Sequence, residues 1–232
     1  MDKPFIFFDL GQTLIDEWNY VSYFDNLLFM TLNDYGARID HRNYIALRNN
    51  LILERKFGSS GFMELVSLMA RLTLPIGYDI TINERLKDDL LKNKRKLVNL
   101  FKDVQEIIPQ LSKDFSLGII SNNSSGSANL LIQHGLDKYF EIVCLSENIG
   151  IRKPDHKIFQ KALVESKSNI NDCIMVGDRL DIDILPANEL GMMTIRTLDS
   201  LYKIQTPLNE NEYPKFTIGS VNELPLLLSS FI

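Results

Sequence analysis

Apolar and polar positions follow two regimes along this chain. In the first, short apolar runs stop abruptly at a polar residue or a turn: Phe5-Ile6-Phe7-Phe8, Leu117-Gly118-Ile119-Ile120, Phe140 to Leu145, Cys173 to Gly177 and Met192 to Ile195. The first run, apolar throughout, suits a strand of a parallel sheet whose two faces are both covered, and the other short runs read as further strands. In the second regime, from Asp16 to about Leu100, apolar residues recur at helical spacing in Tyr20 to Tyr35, Asn43 to Lys56, Phe62 to Thr73 and Ile82 towards Phe101. Breakers stand between these stretches at Gly36, Gly58-Ser59-Ser60-Gly61 and Pro75-Ile76-Gly77. The block is too long for a loop, so it predicts an inserted helical subdomain.

Helix-like segments interleave with the strand-like ones at Val104 to Leu111, Ser125 to His134, Asp155 to Ser166 and Ile184 to Leu190. Gly135 and Gly191 each follow a helix, where a left-handed cap is favoured. Phe216 to Gly219 reads as a last strand, Val221 to Phe231 as a closing helix, and residues 197–214 as a loop on the rim. Such alternation predicts an α/β fold, a doubly wound parallel sheet with right-handed crossovers. Residues 1–15 and 101–232 are assigned to the α/β core and 16–100 to the helical insert.

Composition narrows the function classes. With 232 residues the chain can bury a substantial core, and 45% hydrophobic with 24% charged residues is ordinary for a soluble globular protein. A net charge of −5 offers no basic footprint, so neither nucleic acid nor an anionic membrane is expected as a partner. No apolar stretch approaches the roughly 20 residues that span a bilayer. Met1-Asp2-Lys3-Pro4 leads into the first strand without a signal-peptide pattern, which makes a cytoplasmic monomer or homodimer the expectation. Cys144 and Cys173 lack CxxC spacing and read as buried small hydrophobes, and His41, His134 and His156 lack ligand spacing.

The chemistry is concentrated where the apolar runs stop. Asp9 ends the first run and is followed by Gly11, which frees the backbone, and by Thr13, which can donate a hydrogen bond. A carboxylate in the crevice at a strand end suits an oxygen ligand for Mg²⁺ and a nucleophile. Taken singly, Asp9 reads more readily as a turn or helix N-cap acid, since turn acids are common. Other places where an apolar run stops, or the loops that follow, carry Ser121-Asn122, Lys153 in Arg152-Lys153-Pro154-Asp155, and Asp178 and Asp183 in Gly177-Asp178-Arg179-Leu180-Asp181-Ile182-Asp183. Each alone has an ordinary reading, as a turn residue, a solvated loop charge or a helix-start acid.

Together and in this order, these motifs resemble the haloacid dehalogenase-like (HAD) hydrolase superfamily. The helical block between the first strand and the Ser121 strand is similar to the subgroup with a helical cap inserted there. The resemblance implies a Mg²⁺-dependent phosphatase acting on a small phosphorylated metabolite through an aspartyl-phosphate. Asp9 would be the nucleophile and, with the Gly11 carbonyl and Asp178, a metal ligand. Ser121, Asn122 and Lys153 would bind the phosphoryl group, with Ser121 and Lys153 also catalytic, while Asp183 and Thr13 would support the site from behind.

One departure stands out. Two positions after the nucleophile, phosphatases of this superfamily usually carry a second Asp as general acid and base, and here the residue is Gly11. Gln12 cannot replace it, since an amide does not titrate. This leaves two alternatives open, a 2-haloacid dehalogenase-type hydrolase and a non-catalytic protein that binds a phosphate ligand. The dehalogenases do not use the metal, so the presence of Asp178 and Asp183 argues for the phosphatase. Arg179 has no explanation at the level of sequence.

Overall fold

The run Phe5-Ile6-Phe7-Phe8 forms strand β1 (Phe5–Phe8), and all four side chains are buried, as expected for a strand covered on both faces. A computed structural model describes residues 3–56 and 61–231. The predicted breaker at Gly58-Ser59-Ser60 and the start of the chain at Met1-Asp2 lie outside them. After β1 come β2 (Ile15–Asp16) and helices α1 (Trp18–Asp34), α2 (His41–Leu53), α3 (Phe62–Thr73) and α4 (Tyr78–Leu97). The chain continues through β3 (Asn99–Leu100), α5 (Val104–Leu111), β4 (Ser116–Ser121), α6 (Ser125–Gln133), β5 (Phe140–Leu145), α7 (Ser146–Ile149) and α8 (His156–Ser166). It closes with β6 (Cys173–Gly177), α9 (Leu185–Leu190), β7 (Met193–Thr197), β8 (Phe216–Ile218) and α10 (Leu224–Leu228).

Two compact units result, one of Met1–Asp16 with Asn99–Ile232 and one of Glu17–Val98. In the first, strands pair in the order β5-β4-β1-β6-β7-β8, and every pair is parallel. The chain therefore builds outward from β1 to β4 and β5 on one side, then crosses to β6, β7 and β8 on the other. That reversal opens a crevice at the carboxyl ends of the central strands, where α/β sheets bind ligands. Register aligns the three strand ends that matter, since Phe8 faces Ile119 of β4 and Val176 of β6. Gly118 belongs to the close approach of β4 to β1, because a Cβ there would lie 2.8 Å from the Phe7 ring.

The helical unit has its own core. Phe24 on α1 packs against Phe62 on α3 with ring centroids 4.8 Å apart, and Tyr20 meets the same ring at 5.1 Å. Asp40 caps α2 by accepting from the Asn43 amide at 2.7 Å. Between α1 and α2 the buried Asp25 accepts hydrogen bonds from Arg48 and, at 2.9 Å, from the Tyr44 hydroxyl. Burial raises the Asp25 carboxyl above its ordinary range, against the pull of Arg48.

The structure departs from the sequence reading in several places. The sequence bounds the helical insert at 16–100, but β2 and β3 form a two-residue antiparallel ladder that belongs to the α/β unit. The rim loop expected at 197–214 is packed instead, with Ser200, Leu201, Tyr202, Gln205 and Glu212 all buried. Helix α9 is entered through a wide turn at Leu180–Ile184 rather than starting cleanly at Ile184. The closing helix is only α10, flanked by tight turns at Val221–Glu223 and Ser229–Phe231, because Pro225 restarts the helix in its first turn. Cys144 and Cys173 are buried and free, and burial pushes both thiols up to about 11.

Candidate active site

Asp9 is the residue at which β1 stops. Its amide still donates to the Val176 carbonyl at 2.9 Å, so the sheet ladder holds its backbone while its side chain enters the crevice. Ser121, the last residue of β4, donates from Oγ to Asp9 Oδ1 at 2.8 Å. Lys153 donates from Nζ to the same oxygen at 2.6 Å and to Asp183 Oδ1 at 2.5 Å. The ammonium is 0% exposed and spans two carboxylates that lie far apart in the sequence. Burial works against its charge, but Asp183 and Asp9 overcome that penalty and raise its pKa, so the lysine is a fixed cation.

Asp183 reaches the strand end because Gly177 has no side chain, since a Cβ there would lie 2.6 Å from the Asp183 Cβ. Its second oxygen accepts from the Arg179 amide at 3.0 Å, which closes the turn after β6. Asp178 lies beside it and is buried. One oxygen each of Asp9, Asp178 and Asp183 lies within 4.8 Å of the others. Burial, then the charges of Asp183 and Asp9, push the Asp178 carboxyl well above its ordinary range. Burial also raises Asp183, with Asp9 adding to the rise and Lys153 opposing it.

The neighbouring Asp181 behaves in the opposite way. It pairs with Arg179 Nη2 at 2.5 Å and accepts from Gln205 Nε2 at 3.0 Å, and these partners lower its pKa against the effect of burial. The Arg179 guanidinium lies 4.4 Å over the Tyr202 ring, which accounts for an arginine at this position. Around the trio, Lys153 bonds Asp9 and Asp183 directly, Arg179 pairs with the adjoining Asp181, and Arg196 donates to the Asp178 backbone carbonyl.

The remaining residues of these motifs make the following contacts. Asn122 does not aim a free amide into the crevice. Its Oδ1 accepts from the Lys153 amide at 2.7 Å and its Nδ2 donates to the Lys153 carbonyl at 2.9 Å, so it pins the backbone of the lysine loop. The Lys153-Pro154 peptide in that loop is cis. Thr13 is buried, and among the described residues its hydroxyl has no hydrogen-bond partner. Gln12 adopts φ +53°, a left-handed conformation uncommon for such a residue, and its Oε1 accepts from the Leu201 amide at 2.6 Å.

Sequence reasoning missed Asn123, whose Nδ2 donates to Ser121 Oγ at 3.0 Å, Arg196 and Ser200, which bond Asp178, and Gln205, which bonds the neighbouring Asp181. Asn123 adjoins a motif residue, and that adjacency is the signal that could have found it. The other three sit in a strand and in a polar segment without a motif.

The family profile of haloacid dehalogenase-like hydrolases matches residues 6–197. A glyceraldehyde 3-phosphate phosphatase from Methanocaldococcus jannaschii is 30% identical over 224 residues, covering 94% of each chain. The pyrimidine 5′-nucleotidase YjjG of Escherichia coli is 27% identical over 240 residues, covering 98% of this chain and 99% of that one. Among solved structures, the HAD-hydrolase YfnB from Bacillus subtilis, which was bound to magnesium, superposes with a TM-score of 0.69 at 20% identity. That match covers 99% of this chain and 100% of YfnB. With most of the α/β unit and all four inserted helices inside the matched range, and the Methanocaldococcus jannaschii relative aligned over 94% of each chain, the chain belongs to the haloacid dehalogenase-like hydrolase family.

Proposed function

We propose that this chain is a Mg²⁺-dependent phosphatase of a small phosphorylated metabolite, with Asp9 as nucleophile. The observation that carries the reading is the buried trio Asp9, Asp178 and Asp183 with Lys153 as its one lysine. Carboxylates held this close in a buried crevice repel one another, and a divalent cation between them relieves that repulsion. An all-oxygen donor set fits Mg²⁺, which takes few protein oxygens and keeps waters and a substrate phosphate oxygen. Asp9, Asp178 and the Gly11 carbonyl would hold the ion. Bound there, it would supply positive charge against the phosphoryl dianion.

The chain's own residues do the rest. Asp9 attacks phosphorus, the bond to the leaving oxygen breaks, and an aspartyl-phosphate forms. Lys153 and the Ser121 hydroxyl, both directed at Asp9 Oδ1, neutralise and hydrogen-bond the phosphoryl oxygens brought to that carboxylate. Asp183 holds Lys153 from behind, and Asn122 fixes its backbone. Water then attacks the phosphorus, which frees inorganic phosphate and restores Asp9. The helical unit, inserted between β2 and β3, is read as the cap that selects the substrate. The phosphatase and nucleotidase names of the relatives support a phosphate monoester, and they leave the metabolite itself open between a sugar phosphate and a nucleotide.

Gly11 offers no proton to the leaving oxygen, and the Gln12 amide is engaged with Leu201. Among sugar phosphates, a 1-phosphate, whose leaving group needs less protonation than a primary alkoxide, fits this site best. Gly11→Asp should therefore raise hydrolysis of alkyl phosphates, with the alkyl-to-aryl rate ratio increasing by about tenfold or more, while p-nitrophenyl phosphate changes little. An unchanged ratio in a folded, metal-binding variant would place the acid elsewhere.

The functional reading is tested by screening phosphorylated metabolites with Mg²⁺ and repeating each positive reaction in EDTA. Phosphate release that EDTA abolishes is the expected result. Release that persists in EDTA refutes the metal dependence, and tight binding of phosphate analogues without release refutes the enzyme.

A further inference from the structure

The segment after β7 is tied to the metal-ligand candidates at every turn. Ser200 is 0% exposed, its Oγ donates to Asp178 Oδ2, and the same oxygen accepts from the Tyr202 amide at 2.9 Å. Arg196, at the end of the sheet, donates to the Asp178 carbonyl at 3.2 Å, to the Tyr202 carbonyl at 2.7 Å and to the Gln205 carbonyl at 3.0 Å. Gln205 in turn accepts from the Leu180 amide at 2.9 Å. On the other side, Leu201 donates to Gln12 in the nucleophile loop at 2.6 Å. Residues 196–205 therefore form a strap fastened to both the Asp9 loop and the Asp178 loop.

A carboxylate can rotate about its Cβ–Cγ bond, and that rotation decides where the second oxygen points. The Ser200 bond fixes one oxygen of Asp178, while Arg196 fixes its backbone. Resting on the metal reading above, we propose that Ser200 is a positioning residue that sets the Asp178 carboxylate for Mg²⁺. Groups that orient a metal ligand in this way typically contribute about 10- to 100-fold in affinity. A serine that only caps the turn at Leu201–Ile204 would instead affect folding and leave metal affinity alone.

The two roles separate in the linkage between metal and stability. A ligand that binds only the folded state stabilises it by an amount set by its Kd, over and above the stability of the metal-free protein. The experiment is denaturation of the full chain with and without Mg²⁺, for wild type, Ser200→Ala and Ser200→Cys. The cysteine keeps most of the packing with a weak donor and decides the matter if the alanine variant does not fold. The expected result is a Mg²⁺ Kd at least about tenfold weaker in Ser200→Ala and several-fold weaker in Ser200→Cys. Loss of metal-free stability with the Kd within about twofold of wild type overturns the proposal and leaves Ser200 a turn residue. Absence of any Mg²⁺-dependent stabilisation in wild type overturns the metal reading itself, and this proposal with it.

Discussion

Asp9→Asn is expected to abolish turnover, by about 10⁴-fold or more, while the protein stays folded. The amide is nearly isosteric with the carboxylate and can still accept from Ser121, and Lys153 keeps its bond to Asp183. An amide is too weak a nucleophile at phosphorus to form the intermediate. The substitution also removes one of three crowded negative charges, and Asp9 is one of the charges that push Asp178 and Asp183 up. Metal-free Asp9→Asn should accordingly melt no lower than wild type. Phosphate release at the wild-type rate, or a large fall in melting temperature, would contradict this account.

Lys153→Met is expected to fail in both respects. The side chain is fully buried between Asp9 and Asp183, and methionine matches its length without its charge. Removing one partner of a buried ion pair costs about 3–5 kcal/mol, because the other partner is left uncompensated. Turnover should be lost as well, since nothing then neutralises the phosphoryl oxygens beside Asp9. The pH dependence identifies the cause. Asp183 already has a raised carboxyl, and loss of Lys153 removes the influence that opposes the rise. A carboxyl raised in the folded state costs stability as pH climbs above the ordinary carboxylate range, and that cost disappears as pH falls and the group protonates. Urea titrations in EDTA should show the deficit near neutral pH and a smaller one in mild acid. A deficit independent of pH would point to packing rather than charge.

Much of the fold and the site is legible in the sequence for a physical reason. The central strands β1, β4 and β6 are covered on both faces and are almost wholly apolar, so the abrupt stops at Asp9, Ser121 and Asp178 mark their carboxyl ends through the apolar pattern alone. Adjacent placement of β4, β1 and β6 then brings those ends into one crevice. Gly135 and Gly191 take the positive φ expected of glycines that end helices, +67° and +93°. The strap is illegible because its order depends on pairings such as Gln12 with Leu201, which are 189 residues apart and leave no periodic pattern. Its polar residues resemble those of a solvated loop, and only burial distinguishes them. The β2–β3 ladder escapes the pattern because two residues cannot show an alternation. Asn122 illustrates the limit of a motif: the residue is found where expected at a strand end, yet its amide serves the lysine loop rather than an open site.

The step on which turnover depends is the passage of phosphate through a covalent bond to Asp9. It is tested most directly by mixing the protein with a phosphorylated substrate and Mg²⁺, quenching in acid within the first turnovers, and mapping the peptides by mass spectrometry. The account predicts a phosphoryl adduct on Asp9 that is absent in EDTA and in Asp9→Asn. Sustained phosphate release with no adduct on Asp9 at any quench time, or an adduct on another residue, would contradict it.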